Sequence, residues 1–324
     1  MQFPQKIGFS EKIRNISTTN IDALAQFQVN KNRQYTQLQS GVLCSNYNEV
    51  NLGSVQVFRE SLTAGARIEA APASTFLPFA VILPGSGNAR FCGRERPESA
   101  IIQATGGEWD ICFEHRLDYV CAAFDREALN CSIEHLTGHA IPASWLTSKA
   151  CSTSSVPLQR YAQGISTILK TVNAHPNLLS TPNAERMLNS EVLMLAIKVL
   201  TSTSVDNHIV KPQPKRIRGV QRVIDYLNVH ARQLPTIADL CKIAGLSERS
   251  LEYGFQEYMG VTPVRYLRIV RLNGVKRDLI SSHSGNVKIV DIALKWGFVE
   301  LGRFAGEYRQ LFGELPSDTR RSLL

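Results

Sequence analysis

Successive hydrophobic periods follow one another along this chain, and each predicts its own kind of element. Short apolar runs broken by turn residues occupy 42–47, 52–62, 76–83, 88–92, 99–104, 109–113 and 119–124. Where they alternate, as Val55 and Val57 do against Ser54 and Gln56, the period is two. Turn segments such as P-G-S-G-N and G-G-E separate the runs about every ten residues. This pattern predicts a small antiparallel sandwich or barrel, of the β-barrel/cupin-like kind, over 41–150. From Pro157 the spacing becomes helical. Leu158, Tyr161, Ile165, Ile168, Leu169 and Val172 form one stripe, and Met187, Leu188, Val192, Leu195, Ala196 and Val199 form another beyond the break at 180–183. These two stripes predict a helical pair over 157–203, able to pack on each other, on the barrel or on a second copy of the chain. Residues 1–35 are polar and mixed, with one short helical stretch over 21–29.

Beyond residue 200 the chain turns polar, carries two prolines and ends basic, as an interdomain segment should. The predicted organisation is therefore α+β with two domains: 1–205, a linker over 206–218, and an all-helical domain over 219–324. The second domain opens on the apolar face of Val220, Val223, Ile224 and Leu227. It then contains one pattern twice. I-A-D-L-C-K-I-A-G-L runs from Ile237 to Leu246, and I-V-D-I-A-L-K-W-G-F runs from Ile289 to Phe298. Leu251, Phe255, Gly260 and Pro263 follow the first copy; Phe304, Tyr308, Gly313 and Pro316 follow the second. The offset is 52 residues up to the glycines and 53 after them, so one residue is inserted inside the second unit.

Each repeated position has a physical reason. Thr236 is placed to cap a helix whose first turn carries Asp239, and Ile237, Leu240 and Ala244 share one face. Gly245 and Gly297 stand where the chain leaves a helix in a left-handed conformation, and Ser247 caps the next helix. Leu251 and Phe255 turn inward, so Arg249, Glu252 and Tyr253 point outward near the start of that helix. This is the geometry of a helix-turn-helix with its recognition helix. Thr262 and Pro263 start a connecting helix through Tyr266, Ile269, Val270 and Val275 to about Ser281. If it is rigid, both recognition helices meet one face of a duplex about 34 Å apart.

The residues from Gly219 to Leu323 resemble the DNA-binding domain of the AraC/XylS transcription regulators, whose second motif reads I-x-D-I-A-x-x-x-G-F and then F, G and P. Here those positions are Ile289, Asp291, Ile292, Ala293, Gly297, Phe298, Phe304, Gly313 and Pro316. The resemblance covers only the C-terminal third. It implies a dimeric, non-enzymatic regulator or activator of transcription that partners double-stranded DNA and RNA polymerase. In that family, helices placed like the 157–203 pair commonly make the homodimer contact, which makes the stripe Leu158, Tyr161, Ile165, Ile168, Leu169 and Val172 the expected dimer face.

Arg249, Glu252, Tyr253 and Arg303 are the candidates for base contacts, since Arg suits guanine O6 and N7 and Glu accepts from the cytosine amino group. Ser247, Ser250, Arg268, Arg320 and Arg321 are the candidates for phosphate. Family members often place polar readers where Leu301, Gly302 and Gly306 stand, so the first motif is expected to carry most of the discrimination.

Charge agrees with this division. The formal net charge is +8, and residues 215–324 hold 18 Lys and Arg against 11 Asp and Glu, which leaves +1 for the rest. A basic module beside a near-neutral one suits phosphate binding. Seven cysteines without a C-x-x-C pair argue for reduced thiols. With no run of 18 apolar residues and no signal-peptide core, a cytoplasmic protein without a membrane partner is expected.

Three chemistries are set aside. A metal-dependent cupin oxygenase needs several strand histidines, and only His115 is offered. His135 and His139 lack an evident third ligand, so no metal and no cofactor are expected. Cys44 stands alone, without the cysteine cluster of a methyl-accepting repair protein. The N-terminal domain is left with two readings. One is a small-molecule sensor whose pocket is lined by Phe76, Phe79, Trp109, Phe113 and Tyr119; the other is a dimerisation or protein-docking module. An architectural DNA-coating protein is the alternative of another class.

Overall fold

The computed structural model describes residues 12–28, 31–71, 75–95, 100–103, 109–141, 150–152, 154–202, 214–282 and 287–321. Twelve strands are seen among them. Strands β1 (Ile13–Thr18), β3 (Ser45–Asn51), β4 (Val55–Leu62), β6 (Phe76–Ile82), β9 (Ala100–Gln103), β11 (Leu117–Asp125) and β12 (Ala150–Ser152) form one sheet in the order β1-β3-β4-β11-β6-β9-β12. Strands β2 (Arg33–Gln37), β5 (Ala66–Ala70), β7 (Ala89–Phe91), β8 (Arg94–Glu95) and β10 (Trp109–Phe113) form the other, ordered β2-β5-β10-β7-β8. All the described pairings are antiparallel.

Among the described residues the closed barrel allowed by the strand spacing is not formed. Each sheet keeps two edges, β1 and β12 in one, β2 and β8 in the other, so the architecture is an open two-sheet sandwich. Strands β1, β2 and β5 were not legible in the apolar pattern. In β2 the buried positions are Arg33, Tyr35 and Gln37, polar residues at 8%, 7% and 2% exposure, which hides a strand from a hydrophobic count.

Period-two alternation sorts β11 into two environments. Val120, Ala122 and Phe124 join the core beneath the helices, whereas Tyr119, Cys121 and Ala123 join the core between the sheets. Because both faces of this strand are covered, it reads as one continuous apolar run. The helices of the first domain are α1 (Ile21–Phe27), α2 (Arg126–Thr137), α3 (Ser155–Ala174) and α4 (Pro182–Thr201). The α3 stripe lies on the seven-stranded sheet and against α4, where the Tyr161 hydroxyl donates to the Phe79 carbonyl at 2.8 Å.

That placement corrects the expected dimer face. Leu158, Tyr161, Ile165, Ile168, Leu169 and Val172 are at most 7% exposed within a single chain, so no apolar surface of the stripe is left for a second copy.

Most of the expected linker lies outside the described residues, and its last four, Lys215–Arg218, are already helical. The second domain comprises α5 (Lys215–His230), α6 (Ile237–Ala244), α7 (Glu248–Met259), α8 (Pro263–Ser281), α9 (Ile289–Lys295), α10 (Leu301–Phe312) and α11 (Pro316–Arg321). Their inward residues, among them Leu251, Phe255, Tyr266, Phe304 and Tyr308, form one core. No helix among the described residues is long and apolar enough to cross a membrane.

Candidate nucleic-acid interface

Helices α6 and α7 form the first helix-turn-helix. Thr236 and Asp239 close a reciprocal capping box at the start of α6. Gly245 ends it with φ +63°, a conformation that costs a residue with a Cβ about 1–2 kcal/mol. Ser247 caps α7 by accepting from the Ser250 amide at 3.3 Å, and its hydroxyl donates to Ser250 Oγ at 3.0 Å. Close approach holds α7 on α5, because a Cβ at Gly254 would sit 2.7 Å from Val220. These constraints aim the other face of α7 at solvent.

On that face Arg249, Glu252 and Tyr253 are exposed, Tyr253 to 59%, and they border a shallow groove together with Gln256. Arg249 lies over the Tyr253 ring at 5.7 Å, with a long 3.4 Å contact to its hydroxyl. No carboxylate ties Arg249 down in the described ion pairs, so its guanidinium fork is free for a ligand.

The second unit, α9 and α10, repeats the left-handed turn glycine, Gly297 at φ +80°, without side-chain caps on its helices, and presents a different surface. With the 53-residue offset, the positions of Arg249, Glu252 and Tyr253 fall on Gly302, Ala305 and Gly306. A Cβ added at Gly302 or Gly306 would meet nothing within 4 Å, so both face open space. Val299 and Leu301 are exposed beside them, at 76% and 38%.

Arg303 is exposed but engaged: its Nε donates to Glu307 at 3.0 Å, and Glu300 lies 4.0 Å away. Arg268 donates to the same Glu307 and stacks at 5.4 Å over Phe298. Two candidate cations thus share one carboxylate that the repeat pattern did not reveal. Arg321 pairs with Asp318 at 2.7 Å, and Arg320 is half-buried. The structure therefore brings Ser247, Arg249, Ser250, Glu252 and Tyr253 together on α7. Arg268 and Arg303 meet at Glu307, and Arg320 and Arg321 lie apart on α11.

A family model described as a helix-turn-helix domain matches residues 240–322. A probable AraC family transcriptional regulator from Rhodopseudomonas palustris is 31% identical over 32% of this chain and 96% of its own, with a TM-score of 0.31. The C-terminal part of the chain thus carries a helix-turn-helix domain of the AraC type. A probable thc operon regulatory protein of Rhodococcus erythropolis is 38% identical over 149 residues, 46% of this chain and 43% of that one. The XylDLEGF operon transcriptional activator 2 of Pseudomonas putida is 39% identical over 100 residues, 31% of this chain and 63% of that one. The chain thus spans about half the length of these two curated relatives.

The first domain holds a separate cavity between its sheets. Phe76, Trp109 and Tyr119 line it, joined by Lys31, Arg33 and Phe58. Phe79 and Phe113 do not line it. On β6 the parity that turns Phe76, Pro78 and Ala80 to the cavity turns Phe79 toward the helices, 5.8 Å from Phe124. Phe113 fills the core at the far end of β10.

The two cations at the cavity are already paired. Lys31 bonds Glu49, and Arg33 bonds the fully buried Glu60. Burial pushes the Tyr35 and Tyr119 phenols well above their ordinary value, so both stay protonated and donate to Glu60. The sequence carried no signal for this network, because its members are dispersed over β2, β4 and β11.

Proposed function

We propose that this protein is a sequence-specific DNA-binding regulator of transcription whose first helix-turn-helix does most of the base reading. The observation that carries the reading is the contrast between the units. Arg249, Glu252 and Tyr253 stand free on α7, whereas the matching positions on α10 are Gly302, Ala305 and Gly306. Arg249 reads a guanine and Glu252 a cytosine amino group in the major groove. The second unit contributes phosphate and shape contacts in the next groove, through backbone that its glycines leave accessible.

The reading includes a homodimer. Since the α3 stripe is used inside the chain, the contact falls elsewhere, and Met187 and Met194 are exposed at 73% and 41%, seven residues apart on α4. It also includes a small-molecule effector in the cavity lined by Phe58, Phe76 and Trp109, whose charges are balanced and which therefore suits a mainly apolar ligand.

The test is a salt series of affinities for a selected site and for random DNA. A specificity ratio above about 10³ supports the regulator. A ratio near one with a steep salt slope identifies a DNA-coating protein instead.

A further inference from the structure

The outer face of the five-stranded sheet packs directly on the DNA-binding domain. Leu38 and Cys112 of the first domain belong to the same buried cluster as Leu251, Phe255 and Phe312 of the second. Among the polar contacts that cross this junction between described residues, three sets each reach a different part of the double helix-turn-helix.

The first set holds the connecting helix. Strand β2 is an edge, and the outward backbone groups of its last residue are taken by one amide side chain. Asn273 on α8 accepts from the Gln37 amide at 3.1 Å and donates to the Gln37 carbonyl at 3.0 Å, as a neighbouring strand would. Asn273 also donates to Ile269 of its own helix at 2.9 Å, which fixes its orientation.

The second set holds unit two. The Gln37 side chain donates to the Leu311 carbonyl on α10 at 2.7 Å, and the Gly41 amide donates to the same oxygen at 3.1 Å. The third holds unit one. Tyr258, near the end of α7, donates to Asp110 of β10 at 2.8 Å, and Arg67 of β5 donates to the other oxygen of that carboxylate at 2.8 Å. Gly93, with φ +71°, lies so close to the Tyr258 ring that any Cβ there would overlap it. Gln37, Arg67, Asp110, Tyr258 and Asn273 are all at most 5% exposed, so these bonds form out of reach of water.

The readers remain free in this arrangement. Tyr258 is buried while Arg249 and Tyr253 on the same helix are exposed.

From this we infer that the first domain is an intramolecular splint: Gln37, Asp110, Tyr258 and Asn273 are positioning residues that hold the two helix-turn-helix units at one fixed separation. Helix α8 joins the units end to end, but a joint of one helix bends or rolls at its ends. Contacts from one sheet to α7, α8 and α10 remove that freedom. The consequence for DNA is selectivity for the spacing between the two segments of a site, beyond selectivity for their bases. This inference rests on the DNA-binding function proposed above.

The experiment uses the full chain, a selected site, and two derivatives of that site with one base pair inserted or deleted between the segments that the units cover. One base pair turns one segment about 35° around the duplex axis relative to the other. The wild-type protein is expected to bind both derivatives at least about tenfold more weakly than the parent site. In Asn273→Leu combined with Tyr258→Phe, the parent site should weaken while the parent-to-derivative ratio shrinks toward one. Tyr258→Phe alone, which keeps the ring, should lie between. Tyr308→Phe removes a buried hydroxyl that bonds Thr319 within unit two, and serves as a control for simple destabilisation. Its ratio should match the wild type.

An unchanged ratio in the double variant overturns the splint and leaves the DNA-binding reading standing, because α8 alone would then set the spacing. Tighter binding of the parent site by that variant also overturns it, by showing that the junction restrains binding. A wild-type protein with no preference for the selected site over random DNA removes both readings.

Discussion

Replacing Arg249 with alanine isolates the chemistry assigned to the first recognition helix. In the free protein the side chain is exposed, lies over the Tyr253 ring and pairs with none of the described carboxylates. Its removal should therefore change folding stability by no more than about 0.5 kcal/mol, as for other surface positions. A bidentate contact to guanine O6 and N7 carries about 1–3 kcal/mol of discrimination. Affinity for the selected site should then fall by about 5- to 150-fold.

The loss has a signature. Fluorescence anisotropy titrations on four versions of the site, differing at one base pair, should show the wild type preferring guanine and the variant treating all four nearly alike. Random DNA should be bound almost as before. Equal losses on the selected site and on random DNA, with the log–log salt slope reduced by about 0.9, would refute the assignment and make Arg249 a phosphate contact.

Three further outcomes follow from the same geometry. Gly306→Arg adds a side chain in open space within α10 at the position matching Tyr253, so the melting temperature should rise through about 0.5–1 kcal/mol of helix propensity. The same variant should steepen the salt slope, and a lower melting temperature would show that the surface is not open. Burial raises the Glu49 carboxyl, but the Lys31 ammonium and bonds from Lys31 and Tyr47 outweigh it and hold the group below its ordinary 4.5. Glu49 therefore stabilises the fold above its unfolded-state pKa, and this contribution is lost as pH falls through the lower folded value. Melting curves of wild type and Glu49→Gln should accordingly diverge at neutral pH and converge toward pH 3. Exposed Cys44 and Cys131 should react with maleimide first in timed peptide mapping, while Cys121, whose thiol burial pushes up to about 12, stays unmodified until the protein unfolds.

The double helix-turn-helix was legible because its signals are local. A cap at Thr236, a left-handed glycine at 245 and an inward pair at Leu251 and Phe255 act within one or two turns of helix, and the second copy repeats most of them at a fixed offset. The exposed face of α7 that carries Arg249, Glu252 and Tyr253 followed from the same reasoning, since a helix face follows from spacing alone.

The first domain was legible only in outline. Alternation announced strands but not which face of each would meet the cavity, and so Phe79 was assigned to the wrong side of β6 while Phe76 was not. Likewise the α3 stripe announced burial without naming the surface that buries it.

Sequence by itself determined the elements whose interactions close within a few residues: the helices, their caps, the repeated turn and the outward face of the first recognition helix. Tertiary structure decided everything that depends on partners distant in the chain. Arg33 meets Glu60 across 27 positions, and Gln37 meets Asn273 across 236. The side-chain pattern of a strand specifies two faces but not their occupants, and an amide or a carboxylate gives no local sign of the group that will satisfy it. The pairing of charges at the cavity and the junction that grips both helix-turn-helix units exist only once the sheets are assembled, because only then do these residues become neighbours.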